Sequence, residues 1–297
     1  GVVLRHGFGS DRESYLHLIA GSQHEHYDLD SGSIVLWGKG RLLADDFGYI
    51  GRHAAQWHSM LRSAAVADDA TMTIDAFAPG KALDYVSGKK GAWQRQIAFV
   101  KDTDPAGPSG FLIRDSHGVD DEATWRLWLT AKKVTVHATG ATVEGEDDVD
   151  LEVFFHDAAK LGLKTEETVQ KGMGRRDGKE GPTETRQTAL LATRKGKGAI
   201  AVLLWPRLKK EAAPKVTWFA DGSGVQIETA AGTDYIFVSS ARAKDISPDR
   251  KVSFDTQAGA VRVRQKSATL TLGAAGTIQH GEKKLESTEP ATRTNDR

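Results

Sequence analysis

Cysteine is missing altogether from the 297 residues. Its absence excludes disulfides, thiolate nucleophiles and every cysteine-ligated metal site. It leaves the compartment open, because an oxidising environment permits disulfides without requiring them. A surplus of one charge is missing too, since 40 Lys and Arg balance 40 Asp and Glu. A dedicated nucleic-acid binder needs a basic excess, so no nucleic-acid partner is expected. No apolar run approaches the roughly 18 residues of a membrane-spanning helix, and no membrane partner is expected either. Helical periodicity is scarce: Ala54 to Ala67 suits a short helix or a strand, and Asp157 to Leu163 one turn. An initiator methionine is also lacking, and Gly1-Val2-Val3-Leu4-Arg5 reads like a strand in mid-domain, as in a piece of a longer chain.

What is present is alternation. Ser33-Ile34-Val35-Leu36-Trp37, Trp125-Arg126-Leu127-Trp128-Leu129 and Ala199-Ile200-Ala201-Val202-Leu203-Leu204-Trp205 are short apolar or period-two runs. Similar runs recur along the chain, about ten residues apart where they follow closely, and 31 glycines are there to turn between them. This rhythm predicts an all-β fold, an antiparallel β-sandwich with a smaller C-terminal β region. A boundary is expected at Leu208-Lys209-Lys210-Glu211-Ala212-Ala213-Pro214, dividing the chain into 1–212 and 213–297. The charged, glycine-rich stretch Lys171 to Thr185 reads as a mobile surface loop. Gly38-Lys39-Gly40 and Gly196-Lys197-Gly198 open no helix, so they read as hairpin turns rather than phosphate loops.

Chemistry concentrates near the start. Six of the ten histidines precede residue 60, and His24 and His26 sit in the acidic run Gln23 to Ser33. On extended chain, residues two apart share a side, so both imidazoles can face one site. A hairpin from Ser33 to Asp46 returns Asp45 or Asp46 beside them, and His58 follows about one strand and turn later. Two imidazoles and a carboxylate suit a borderline divalent ion such as zinc. The competing reading is a solvated loop that is merely rich in His and Asp.

In order and spacing, His24-Glu25-His26, Asp30-Ser31-Gly32-Ser33-Ile34, Gly40-Arg41-Leu42-Leu43, Asp46-Phe47-Gly48-Tyr49 and His58-Ser59-Met60 resemble the heparinase II/III-like module of polysaccharide lyases. Two departures from that pattern are Ile34 in place of an aromatic residue and a slightly long segment from His26 to Ser33. The resemblance implies zinc ligands at His26, Asp46 and His58, with Asp45 the alternative carboxylate and His53 the reserve histidine. The metal would be largely architectural. It implies His24 at the substrate cleft as the catalytic candidate, or else as a residue that orients a ligand. Tyr49 would touch substrate or, alternatively, serve packing. Among interleaved aromatic and basic residues, Arg95 is the candidate for a uronate carboxylate. Against it stands the reading that Trp93, Trp125 and Trp128 are sheet core and the arginines, Arg114 and Arg126 included, lie on solvated faces.

By the same resemblance the activity is β-elimination beside a uronic acid in an anionic polysaccharide or oligosaccharide of alginate or glycosaminoglycan type. The base, the acid and the carboxylate neutraliser come largely from an N-terminal helical toroid, as a domain or a separate chain, and the expected location is periplasmic or secreted. A non-catalytic carbohydrate-binding scaffold and a uronate epimerase are the alternatives. The first would lack a helical partner, and the second would make no unsaturated product.

Overall fold

The computed structural model describes residues 1–22, 28–46, 54–176 and 179–296, apart from the side chains of 170–185 and 296. Strand takes up 62% of it, and no α-helix occurs among the described residues, as the scarcity of helical periodicity implies. The two helical candidates become single 3₁₀ turns, Ala55–Trp57 and Ala158–Lys160, and Leu61–Ser63 is a short strand.

The described residues form three antiparallel sheets of eight strands, stacked as layers. The first runs, in lateral order, Val2–His6, Ser14–Leu18, Ile34–Gly38, Arg41–Ala44, Glu122–Leu129, Lys179–Lys195, Gly162–Arg176, with Leu61–Ser63 also paired to Glu122–Leu129. The second runs Lys133–His137, Gly140–Glu144, Val149–Phe155, Gly198–Leu208, Gly110–His117, Trp93–Val100, Leu83–Lys90, Thr73–Ala78. The third begins at Lys215–Phe219 and continues through Gly224–Thr229, Gly232–Ile246, Val252–Val263, Ser267–Leu272 and Ala291–Asp296, with Gly276–His280 also paired to Val252–Val263 and Lys283–Ser287 paired in turn to Gly276–His280.

The second sheet is the middle layer. Ile113, Val202, Phe99 and Trp93 face the first sheet, where they meet Trp125, Leu127 and Leu190. The alternate residues Leu112, Leu203 and Trp205 pack on Val225, Ile236 and Val238 of the third. A strand apolar on both faces reads as a continuous run, which is why Ile200 to Trp205 shows no alternation. Each such side chain moved fully out of water is worth roughly 1.5–3 kcal/mol, so both interfaces are substantial.

Two turn expectations have different outcomes. Lys39 (φ 49°) and Gly40 (φ 84°) form the two-residue turn between Ile34–Gly38 and Arg41–Ala44. Of the stretch 171–185, expected as a loop, residues 171–176 and 179–185 are instead paired antiparallel strand, in which Gln170 pairs with Thr185 and Arg176 with Lys179. Strand pairing is a backbone property, and it extends through charged sequence once the register is set by Leu163, Leu190 and Ala192 in the core.

Candidate metal centre at a split strand

One side of Glu122–Leu129 is covered by two short strands placed end to end. Arg41–Ala44 meets it at Leu129, and Leu61–Ser63 meets it from Trp125 to Ala123. Across the gap, Asp45 N–H donates to Trp128 O (3.2 Å), Trp128 N–H donates to Ser59 Oγ (3.0 Å), and Arg126 N–H donates to Met60 O (3.0 Å). The chain therefore leaves the sheet at Asp45 and rejoins it at Ser59, beside the same residue. That return brings Asp46 and His58 together, with Oδ1 2.5 Å from Nδ1.

The acidic segment is fastened to this point from below. Ser59 N–H donates to Ser33 Oγ (2.9 Å), and Ile34 N–H donates to Ser59 O (3.2 Å). Arg95 is fully buried; its Nη1 donates to Gly32 O (2.6 Å) and Ser59 O (3.2 Å). Its Nε and Nη2 each lie 2.8 Å from Asp115, which also accepts from Trp93 Nε1 (2.7 Å). Lys90, also buried, donates to Ser31 O (3.0 Å) and Asp68 O (2.9 Å). Gly32 (φ +100°) sits where a Cβ would lie 2.5 Å from the Trp93 ring, so the segment passes close over the second sheet.

Asp28, Asp46 and His58 each place one ligand atom within 4.8 Å of the others. His58 is fully buried, and its Nε2 has no hydrogen-bond partner among the described residues. A buried polar atom left unsatisfied costs about 1–3 kcal/mol, and a cation is one way to satisfy it. Burial acts to lower the His58 pKa, but the hydrogen bond and charge of Asp46, with Asp30 and Asp28 behind it, win and raise it. Burial raises Asp30, with Asp46 and Asp28 adding to it against the opposing effect of His58. Three carboxylates gathered around one buried imidazole, Asp28, Asp30 and Asp46, make a place that favours positive charge. The donors are oxygen and imidazole nitrogen, which fit zinc or a similar divalent ion.

Of the residues the sequence singled out, Asp46 and His58 converge. His24, His26, Tyr49 and the reserve His53 lie outside the described residues. Asp45 is not in the trio; its Oδ1 accepts from Asp46 N–H (2.8 Å), and burial raises its pKa. Arg95 requires a correction. It lies on neither a solvated face nor a sugar-facing one, because its guanidinium is spent on Asp115, Gly32 and Ser59 inside the sandwich. Trp93, Trp125 and Trp128 are buried as sheet core. Sequence reasoning missed Asp28 as a ligand candidate; the signal was a second carboxylate two residues before Asp30 and two residues after His26.

Beside the centre, Trp57 stacks on Trp128 (5.8 Å between centroids), and Gln56 O accepts from Trp128 Nε1 (3.2 Å) and Arg126 Nη1 (2.5 Å). A second trio, His156, Asp157 and Asp221, has two exposed carboxylates, and Asp157 is paired with Lys160 at 2.6 Å.

No family model matches the chain, and no curated protein does. Solved structures match it in fold. A heparinase III structure aligns with 99% of the chain at a TM-score of 0.52 and 10% identity, and its form with methylated lysines gives 0.53. A heparan sulfate lyase mutant from Pedobacter heparinus aligns with 97% at a TM-score of 0.52 and 13% identity. The chain spans 40–41% of the length of those proteins. The fold is thus the one implied by the resemblance in the first sixty residues.

Proposed function

We propose that this chain is the β part of a heparinase II/III-like polysaccharide lyase that cleaves a uronate-containing polysaccharide by β-elimination. The reading rests on one coincidence. A chain with the lyase fold carries the His-x-His and Asp-x-Gly block, and the Asp46 and His58 of that block meet at 2.5 Å. In this reading residues 1–212 are the lyase-like sandwich and 213–297 a smaller β region.

Elimination requires three things of its site: neutralising the uronate carboxylate, removing the adjacent ring proton, and protonating the leaving oxygen as the C–O bond breaks. His24 is assigned to the cleft as the proton-handling group and Tyr49 to substrate contact. His26, Asp46 and His58, with Asp28 beside them, would hold a zinc ion. When bound there, the ion contributes folding energy by fastening the acidic segment to the split strand. The remaining groups come from a helical toroid, and the enzyme works in the periplasm or outside the cell.

The test joins the chain to a helical toroid and follows ultraviolet absorbance of unsaturated uronate product on heparan-type chains, hyaluronan and alginate. Product is expected with the joined protein and little with the chain alone. His24→Ala should lower turnover per folded molecule without moving the melting temperature. Absence of unsaturated product from every polymer refutes the reading, and unchanged turnover in His24→Ala refutes the assignment of His24.

A further inference from the structure

We propose that a groove at one end of the second sheet, on the face turned to the third, binds an anionic substituent, sulfate or carboxylate, of a saccharide chain. The saccharide part rests on the lyase reading; the anion part rests on the groove itself.

The groove follows from strand register. Lys89, Gln94, Ser116 and Ala199 form one lateral row across four strands, and Arg114 lies two rows on, the next row of the same face, opposite Gln96 and Ala201. Further along, the same face turns apolar at Ala98, Leu112 and Leu203, where the third sheet covers it. Polarity changes where that cover lifts. In Gly232–Ile246 the register shifts between Val238 and Ala243, and Gln96 Nε2 donates to the bulging segment at Ser239 O (2.6 Å). What stays open is a cavity of about 400 Å³ whose far wall is Asp221 and Ser240. That volume lies within the range of small-ligand sites, roughly 300–1,000 Å³.

Its cations have little counter-charge. Arg114 is half-buried, donates through Nη1 to Ser116 Oγ (2.5 Å), and has no acceptor for its buried Nε among the described residues. No carboxylate among the described residues lies within ion-pair distance of it. Burial pushes its pKa below the ordinary arginine value, with Asp221 and Asp115 only partly opposing. Lys197 and Lys89 are exposed at the rim, Lys89 with Asp75 3.4 Å away, so three cations line the groove against one lining carboxylate, Asp221. The walls are preformed: Arg194 donates to the carbonyls of Lys197 and Ala199 (3.2 Å each), and Gly118 N–H donates to Ala92 O (3.1 Å). A groove on the outer face of the first sheet gives the contrast. There Arg62 is already paired with Asp68 (2.9 Å) and Lys164 with Glu166 (2.8 Å). A half-buried guanidinium without a carboxylate, flanked by a hydroxyl, an amide and two lysines, recognises a planar or tetrahedral oxyanion.

Calorimetric titration of the full chain with a sulfated heparin-derived hexasaccharide, an unsulfated uronate hexasaccharide and inorganic sulfate tests this directly, with no need for lyase activity. At least one saccharide should bind, more weakly as salt rises, and the tighter of the two identifies the anion. Arg114→Gln should weaken it about ten- to a hundredfold. Lys89→Ser with Lys197→Ser should weaken it several-fold with no change in melting temperature. Saccharide binding that depends on Arg114 in a chain that cleaves nothing when joined to a toroid would overturn the lyase reading and leave the groove standing. Unchanged affinity in a folded Arg114→Gln chain overturns the groove; if that variant does not fold, unchanged affinity in the lysine pair does. Inorganic sulfate binding as tightly as the saccharide overturns the saccharide assignment.

Discussion

Replacing Arg95 by leucine separates an architectural arginine from a sugar-binding one. The change removes two bonds to Asp115 and those to Gly32 O and Ser59 O, all inside a fully buried layer. Asp115 is then a buried carboxylate held by Trp93 Nε1 alone. Breaking a buried ion pair by removing one partner costs about 3–5 kcal/mol, and a stranded carbonyl at Gly32 adds about 1–3 kcal/mol. The total is on the order of 5 kcal/mol, comparable with the whole stability of many domains. In a thermal melt this is a fall on the order of 10 °C. Replacing Asp115 by leucine as well removes the stranded charge, so the double variant should melt above the single one, contrary to additivity. Intrinsic fluorescence is a suitable probe because Trp93 and Trp125 lie within this layer. A single variant within about 1 kcal/mol of the parent, well below the cost of breaking a buried pair, would refute the argument, above all if it lost binding to uronate saccharides.

Three further outcomes are expected. His58→Ala should abolish retention of a divalent ion, read by elemental analysis after purification without chelator, and lower the melting temperature; full retention would remove His58 from the site. Gly32→Ala should destabilise by about 1–3 kcal/mol, because the new Cβ meets the Trp93 ring at a left-handed φ; an unchanged denaturant midpoint would show that the ring can give way. Burial works to raise Asp249, but hydrogen bonds from Ser247, Tyr235 and Lys251 outweigh it and hold the pKa at about 2. With an unfolded value near 4, that stabilisation is complete above about pH 4 and is lost as the pH falls towards 2. Asp249→Asn should flatten this part of the stability profile by on the order of 2 kcal/mol, and an identical profile in the variant would refute the assignment.

The all-β fold was legible because alternation and glycine spacing are local properties. The layering was not. A run such as Ile200 to Trp205 shows that a strand is covered on both faces but not by what, and the covering residues Val225 and Ile236 come from a later sheet. At the candidate centre, Asp46 and His58 were legible through motif spacing. Arg95 was misread because sequence shows a charge without its partner, and Asp115 lies 20 residues away on the neighbouring strand. The pairing of 171–176 with 179–185 was obscured by the charged, glycine-rich composition of the stretch, which lacks the apolar alternation that marks a strand.

The middle layer also has a consequence for synthesis on the ribosome. Leu112, Leu203 and Trp205 are all translated before any residue of the third sheet, which begins at Lys215. Until that sheet emerges, the nascent chain has one finished interface and one broad apolar face exposed to its surroundings. A polypeptide stopped near residue 212 would remain in that condition, and self-association or capture by a chaperone is its expected fate.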